Sequence, residues 1–523
     1  ASFDRFTNKY IIGVKYLLKK KVVAFGGLIL VTIIGVGLLY FTPKSFIPTE
    51  DDSFVTYSLA MPPGASLART TEVLRRADSI LKKREDIEGM TTVSGFNALD
   101  GGTSAAFAAG YINVKPHKER SSIKDINDFM DTIRQDLSVI NEASFKVFPR
   151  PTVQGFGDFA GVQLVLQDRL GGDIRDFDVV ADSFINKINA LEEVDNAYTS
   201  FKSNFPQYEA DIDVVKAKSM GVDIKDMMNT IRMYFARVSA GDFNRFGRTY
   251  RVYMQSDFEH RTDPESLNSI FVRNKDGKMV PVGTLMTLNK VVGPESISRY
   301  NLYNAITVNV NPSSGNSTGD VMKAIEELAG DQLPGNYGYE WTGMSYEESK
   351  SGSQTVLIFG LSILFIYFLL AAQYESYILP WAVLLSVPVG LIGVFLTVLA
   401  VGLENNIYVQ VGLIMLIGLL AKNAILIVEF AVQQRDKGKS IYQSAIEGAR
   451  LRLRPILMTS LAFVAGLVPL MWSVGPSAIG NHSISFSAAG GMLAGVALGI
   501  FIIPVLFVVF KTLDERVKFK MNK

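Results

Sequence analysis

An apolar stretch long enough to cross a bilayer, residues 407–432, carries a lysine near its middle, in the string GLLAKNAILIVEF at residues 418–430. No charged residue occurs from 407 to 421 or from 423 to 428, so Lys422 falls near mid-depth if this segment spans. An ammonium there costs roughly 3 kcal/mol unless it meets water or a carboxylate. The bland reading is that the side chain snorkels toward an interface, for which its stem reaches only about 6 Å against a half-thickness of about 15 Å. No other apolar stretch contains Asp or Glu, and Glu429 is seven residues along the same helix, about 10 Å away at 1.5 Å per residue. Glu375 and Glu404 stand at segment ends, where carboxylates reach water. The partner of Lys422 is therefore expected from outside this chain or from a water-filled cavity.

Six stretches are long enough to span: residues 22–41, 355–372, 378–403, 407–432, 455–479 and 483–510. Lys and Arg cluster before the first, between the fourth and fifth, and after the sixth, while the connections 404–406 and 480–482 have none. The positive-inside rule then puts both chain ends in the cytoplasm and the long block 42–352 on the opposite side. Residues 3–21 mix apolar and basic residues as a surface-lying amphipathic helix does. With the missing acidic partner and the initial Ala1, this suggests the C-terminal part of a longer polypeptide or split complex. Most Gly and Pro inside the spans read as packing and kink residues. Small residues at helical spacing over 485–499 suggest a face lying close against a neighbouring helix.

The 523 residues, 48% hydrophobic, are too many for one soluble core and too charged to be all membrane. A formal net charge of +1 gives no reason to expect nucleic acid. The absence of Cys excludes disulfides, thiolate zinc sites and cysteine nucleophiles.

The block 42–352 is α+β in pattern and repeats. Strands at 54–61, 87–96, 106–114 and 145–148 alternate with helices at 66–83 and 123–137, a βαββαβ order that defines a split βαβ, ferredoxin-like unit. A second unit begins with a strand at 162–166, a helix at 177–191 and a strand at 195–201. It resumes at 305–311 with a helix at 318–328 and a strand at 337–341. Between its halves lies an insertion, 206–295, with a helix near 223–235 and a hairpin at 274–278 marked by its Asp-Gly turn.

One span, two such units with an insertion, and five clustered spans resemble the C-terminal half of a resistance-nodulation-division transporter, in its hydrophobe/amphiphile efflux branch. The resemblance runs along essentially the whole chain. It is carried by FIPTED at 46–51, PPGAS at 62–66, WTGMSY at 341–346, AQYES at 372–376, the Lys422 string and RLRPILMTSLAF at 452–463. The resemblance implies a polytopic helical membrane domain and a periplasmic α+β domain in the bacterial inner membrane. The domains are a cytoplasmic surface helix 1–21, a span 22–41, porter subdomains 42–154 and 155–205 with 296–352, an inserted docking funnel 206–295, a five-span bundle 353–511 and a cytoplasmic tail 512–523. It implies a proton relay of Lys422, Asn423, Arg452 and Thr459, completed by two aspartates of the N-terminal half that this sequence lacks. Protonating such a carboxylate removes the counter-charge of Lys422 and lets its helix move. Read without the resemblance, Arg452 is a positive-inside anchor and Thr459 a helix threonine bonding back along its own turn.

The resemblance also implies a drug pocket between the porter units. Phe96, Tyr111 and Phe148 stand at its aromatic positions, and the switch loop GFNALDGG, 95–102, contains Gly95 and Gly101. Thr91 and Ala98 stand where aromatics are often found, which leaves the drug spectrum open. The implied partners are the N-terminal half, two further copies in a homotrimer, a periplasmic adaptor, an outer-membrane channel, amphiphilic drugs and the lipid bilayer. The drive is proton-motive force without a cofactor.

Three rivals remain. A metal exporter of the same family would want Met or His clusters, whereas the three His and 17 Met are scattered. A nonpumping, membrane-anchored partner subunit would tolerate substitution of Lys422. An enzyme would carry a motif such as a Walker sequence, HExxH or G-x-S-x-G, none of which occurs, and GFGDFAG at 155–161 is no dinucleotide fingerprint.

Overall fold

The computed structural model describes residues 2–521 except 121, 122, 124, 154, 158 and 314. Lys124 of the expected helix 123–137, Asp158 of the run 155–161, and the extreme ends of the surface helix and tail therefore lie outside the described residues. The chain divides into a unit of Ala1–Phe201 with Ile297–Lys523 and a second unit of Lys202–Ser296.

Helix α1 (Ser2–Lys19) buries Tyr10, Val14 and Leu18, spaced four apart on one face, and leaves its charged residues outside. After Lys20, α2 (Lys21–Phe41) is the first apolar helix of spanning length.

Next come β1 (Phe54–Ala60), α3 (Leu67–Leu81), β2 (Ile87–Phe96), β3 (Thr103–Val114), α4 (Ile126–Leu137) and β4 (Ser144–Pro149). The sheet order is β2-β3-β1-β4, every pair antiparallel. Helix α4 starts at Ile126 rather than 123, because the Asp125 side chain accepts the Asn127 N–H as its N-cap. Tyr57 donates to Asp78 of α3, which fixes the helix-covered face; Thr56 and Ser58, its alternating neighbours, point to the other.

The second sheet starts with β5 (Val162–Asp168), α5 (Ile174–Ile188) and β6 (Val194–Tyr198), and the chain then leaves for the second unit. There β7 (Phe205–Ile212), α6 (Val214–Ser219), α7 (Ile224–Phe235), β8 (Val238–Arg245), β9 (Arg248–Met254), β10 (Phe271–Arg273), β11 (Met279–Pro281) and β12 (Met286–Gly293) follow. Strand β7 pairs with β12, and a small core gathers Ala217, Met227, Ile270, Val282 and Leu285. The β10–β11 turn closes where Asp-Gly predicts it, with Asn274 Oδ1 accepting the N–H groups of Asp276 and Lys278, and Gly277 at φ +81°. The β8–β9 hairpin is almost wholly exposed.

Back in the first unit, β13 (Ser298–Tyr300), β14 (Tyr303–Pro312), α8 (Thr318–Gln332) and β15 (Tyr337–Trp341) complete the second sheet. Its order is β13-β14-β5-β15, with β6 also paired to β14. One residue later α9 (Gly343–Tyr374) begins, far ahead of the expected 355. Its start is tied to β5, since Thr342 N–H donates to the Gln163 carbonyl and Gln163 N–H to Ser345 Oγ. The motif WTGMSY thus joins the sheet to the second span without slack.

Five helices follow: α10 (Pro380–Leu384), α11 (Pro388–Val401), α12 (Ile407–Asp436), α13 (Ile441–Met471) and α14 (Ala478–Met521). Among the described residues six helical stretches are apolar and long enough to cross a membrane, counting Pro380–Val401 as one. Several boundaries differ from the sequence reading: the expected span 455–479 is cut by the turn between Met471 and Ala478, so α14 begins before 483, and α12 runs past 432 to Asp436. The third span is broken at residues 385–387, where Pro388 offers no N–H to the preceding turn. The fifth helix starts at Ile441 behind a Ser440 N-cap and runs through Pro455, so its first turns are charged. The last helix continues to Met521, through the segment expected as a tail. The glycine-rich face of α14 lies against α11 and α12: a Cβ on Gly393 would stand 2.2 Å from the Gly490 carbonyl, and one on Gly491 2.2 Å from a Leu416 methyl.

The membrane helices and the body meet at FIPTED. The Glu50 carboxylate, 7% exposed, accepts the N–H groups of Ile479 (3.1 Å) and Gly480 (2.8 Å), capping the first turn of α14. Asn405 N–H donates to the Pro43 carbonyl and Ile407 N–H to the Phe46 carbonyl, while Gly319 N–H of α8 donates to Lys44. Beside this junction Glu348 accepts a 3.0 Å hydrogen bond from Thr318. Burial pushes its carboxyl up to about 7; the Thr318 bond opposes that and the Glu404 and Asp320 carboxylates add to it. Between the usual 4.5 and about 7 the folded chain holds a proton that the unfolded chain has released. Stability therefore falls as pH rises through that window. Glu348→Gln is expected to flatten this slope in thermal midpoints measured in detergent across pH 4.5–7; an unchanged slope would show that Glu348 is not its source.

Candidate functional site

Helix α12 is anchored along its whole length. At its start Asn406 Oδ1 accepts the Val409 N–H (3.0 Å), and its amide donates to Ser483 Oγ of α14 (3.0 Å). At its end Arg435 pairs with Glu515 of α14 through two bonds of 2.9 Å. Near its middle Asn423, 6% exposed, donates to Ser460 of α13 (3.2 Å) and to the Met492 sulfur of α14 (3.7 Å). Gly448 lets α13 approach closely, since a Cβ there would lie 2.9 Å from the Ala431 nitrogen.

These anchors decide where Lys422 points. Its neighbours Ala421 and Asn423 are buried, whereas Lys422 is exposed in company with Val411, Gly418 and Gln433, positions that recur on one stripe of an α-helix. Among the described residues Lys422 has no hydrogen bond or ion pair within this chain. Thr459 of α13 is exposed too, bonding back to the Ile456 carbonyl at 3.2 Å as a helix threonine does. The Asn423–Ser460 bond joins residues immediately after Lys422 and Thr459, so it sets these two at one depth on adjoining helices. Seven residues earlier in α13, and hence two turns away, Arg452 lays its guanidinium over the Phe430 ring at 3.4 Å. Its Nε is buried without a partner. Among the described residues neither the Lys422 ammonium nor the Arg452 guanidinium has a carboxylate partner, and the spanning part of α13 beside them is largely exposed. The sequence pointed to Lys422, Asn423, Arg452 and Thr459. It did not reveal Phe430, Ser460 or Met492, which look like ordinary span residues until the helices pack.

The aromatic positions form a second cluster. Phe96 and Tyr111 pack against Ala98, Leu99, Ala109, Phe148, Phe159 and Tyr198. Phe148 meets Phe159 edge-on at 5.8 Å, and Phe159 meets Tyr198 at 6.1 Å. Phe159 and Tyr198 had no distinguishing pattern in sequence; they join from the loop before β5 and from β6. The loop 95–102 holds its own shape. Gly95 (φ +81°) and Gly101 (φ +70°) take left-handed backbone, and Asn97 Oδ1 accepts the Leu99 N–H. Asp100 accepts from the Asn97 amide, from Gly102 N–H and from Ser200 of the second sheet's connection.

A multi-pass helical bundle with an uncompensated lysine near mid-span, carrying two sheet-and-helix bodies between its first and second spans, defines a polytopic membrane protein. The chain belongs to the AcrB/AcrD/AcrF family, whose model matches residues 1–511. It is 37% identical over 514 residues to the antibiotic efflux pump membrane transporter ArpB of Pseudomonas putida, covering 98% of this chain and 49% of that protein. The toluene efflux pump membrane transporter TtgB, also of Pseudomonas putida, is likewise 37% identical over 514 residues, again 98% of this chain and 49% of TtgB. The multidrug resistance protein MdtF of Escherichia coli is 34% identical over 493 residues, 92% of this chain and 47% of MdtF. The chain spans about half the length of the curated relatives it matches.

Asn423 is the buried polar tie between α12 and α13 at the depth of Lys422. Hydrogen bonds between membrane helices are worth about 0.6 kcal/mol on average and at most about 1.7. Asn423→Leu is expected to destabilise the bundle within that range, measured by unfolding in mixed detergent micelles. A loss several times larger would mean that the asparagine carries more than this bond.

Proposed function

We propose that this chain is the C-terminal half of an inner-membrane pump that exports hydrophobic and amphiphilic compounds in exchange for protons. The observation that carries this reading is the unpaired ammonium of Lys422, displayed on the outer face of α12 at mid-span. A buried cation without a counter-charge is expensive in a bilayer, so a carboxylate from the N-terminal half completes the site. Protonating that carboxylate removes its attraction for Lys422, and the α12–α13 pair relaxes as a two-state element. Arg452 and Thr459 lie on the same surface and extend the relay.

The two sheet bodies act as periplasmic, ferredoxin-like porter subdomains. Their strand orders support this, because β3 lies between β1 and β2, and β14 between β5 and β6, as in a split βαβ unit. The cluster around Phe96, Tyr111 and Phe148 takes up apolar parts of substrates, with the 95–102 loop beside it. Relatives named for antibiotic, toluene and multidrug efflux favour substrates of that kind. The exposed β8–β9 hairpin, with Phe243, Phe246 and Tyr253 outward, suits contact with another copy in a homotrimer. The inserted unit serves for docking toward an adaptor and an outer-membrane channel. Drive comes from proton-motive force with no cofactor, and the chain performs no enzymatic chemistry of its own.

Lys422→Ala in the intact pump is expected to reduce proton-coupled dye export in vesicles to background while leaving assembly intact. Normal export with that substitution would remove Lys422 from the relay and favour a nonpumping partner subunit.

A further inference from the structure

At the edge of the aromatic cluster Lys146 adjoins two residues, Ser58 and Tyr198, whose hydroxyls have no partner among the described residues. Lys146 lies two residues before Phe148 in β4, so both side chains leave the same face of the strand. Its register partner across the sheet is Ser58 of β1, whose hydroxyl is buried without a hydrogen bond. The Lys146 ammonium sits 4.6 Å from the centre of the Tyr198 ring. Tyr198 is 8% exposed, and its hydroxyl is also buried without a partner. Among the described residues Lys146 itself has neither a hydrogen bond nor an ion pair.

The electrostatics agree in sign. Burial lowers the Lys146 pKa, the Arg134 guanidinium of α4 adds to that, and the Asp195 carboxylate of β6 opposes it without closing to a salt bridge. The aromatic ring recovers part of the desolvation, since its negative face attracts the cation. It offers no acceptor to the ammonium protons. A buried donor left unsatisfied keeps its full desolvation cost, so two such hydroxyls beside a half-buried ammonium describe a site short of an acceptor.

We propose that Lys146, Tyr198 and Ser58 form an anion-recognising subsite that takes the carboxylate, sulfonate or phosphate head of an amphiphile whose apolar body enters the adjoining aromatic cluster. This rests on the reading of that cluster as a substrate pocket and gives it a charge preference. The acidic head accepts from the ammonium and from both hydroxyls, while the rings of Phe148 and Phe159 bound the apolar side. Neutral compounds use the cluster alone and gain nothing from Lys146.

The test compares two fluorescent amphiphiles that differ chiefly in one acidic group: 8-anilinonaphthalene-1-sulfonate and neutral N-phenyl-1-naphthylamine. Both are titrated into the intact transporter in neutral detergent. Lys146→Met is expected to weaken the sulfonate roughly tenfold, about 1.4 kcal/mol, with the neutral probe held within about twofold. Lys146→Arg is expected to keep most sulfonate affinity, and Tyr198→Phe to weaken it by a smaller factor. Unchanged sulfonate binding in Lys146→Met, or equal weakening of both probes, overturns the subsite and leaves the aromatic pocket standing. If wild type binds neither probe, the pocket reading falls and the subsite falls with it.

Discussion

A single ammonium in the middle of an apolar helix sets the terms for the membrane half of this molecule. Lys422 cannot reach an interface, and its own chain supplies no carboxylate at its depth among the described residues. The fold therefore turns it outward. Asn406, Asn423 and Arg435 hold α12 by its start, middle and end against α13 and α14, and the opposite stripe, with Gly418 and Lys422, is left uncovered. Reversing that choice would bury the charge among Leu416, Leu420 and the glycines of α14, where its desolvation would exceed any gain in packing.

Rigid connections link this face to the body. Glu50 caps α14, residues 43–46 bond to the 405–407 connection, and α9 leaves β15 after one residue. The spanning helices are thereby joined to the sheets by hydrogen bonds rather than by flexible linkers. Glu348 and Glu404 stand at the same junction, both raised by burial, so the junction carries its own protonation sensitivity.

Periodicity and counting made much of this legible. The βαββαβ element order, the Asp-Gly hairpin, the amphipathic α1 and the isolation of Lys422 all follow from spacing and charge. What escaped depends on packing at a distance. The fifth span reads from Pro455 because Arg450, Arg452 and Arg454 precede it, yet the charged turns from Ile441 continue into it as one helix. Tyr10 donates to the Ile500 carbonyl (2.9 Å), the very group that Pro504, four residues on, cannot bond; nothing local in α1 announces that duty. Phe430 under Arg452, and Phe159 and Tyr198 beside Phe148, are likewise generic residues in sequence and become distinctive only by their neighbours.

The central claim is that a carboxylate outside these 523 residues covers Lys422. Gly418 lies one turn away on the same exposed stripe, and a Cβ there meets nothing within 4 Å. A photo-crosslinking phenylalanine placed at Gly418 in the native membrane, followed by mass spectrometry of the adduct, reads what covers that stripe. The account predicts an adduct with a membrane-spanning peptide that contains Asp or Glu and is absent from this sequence. Adducts with lipid alone would contradict it.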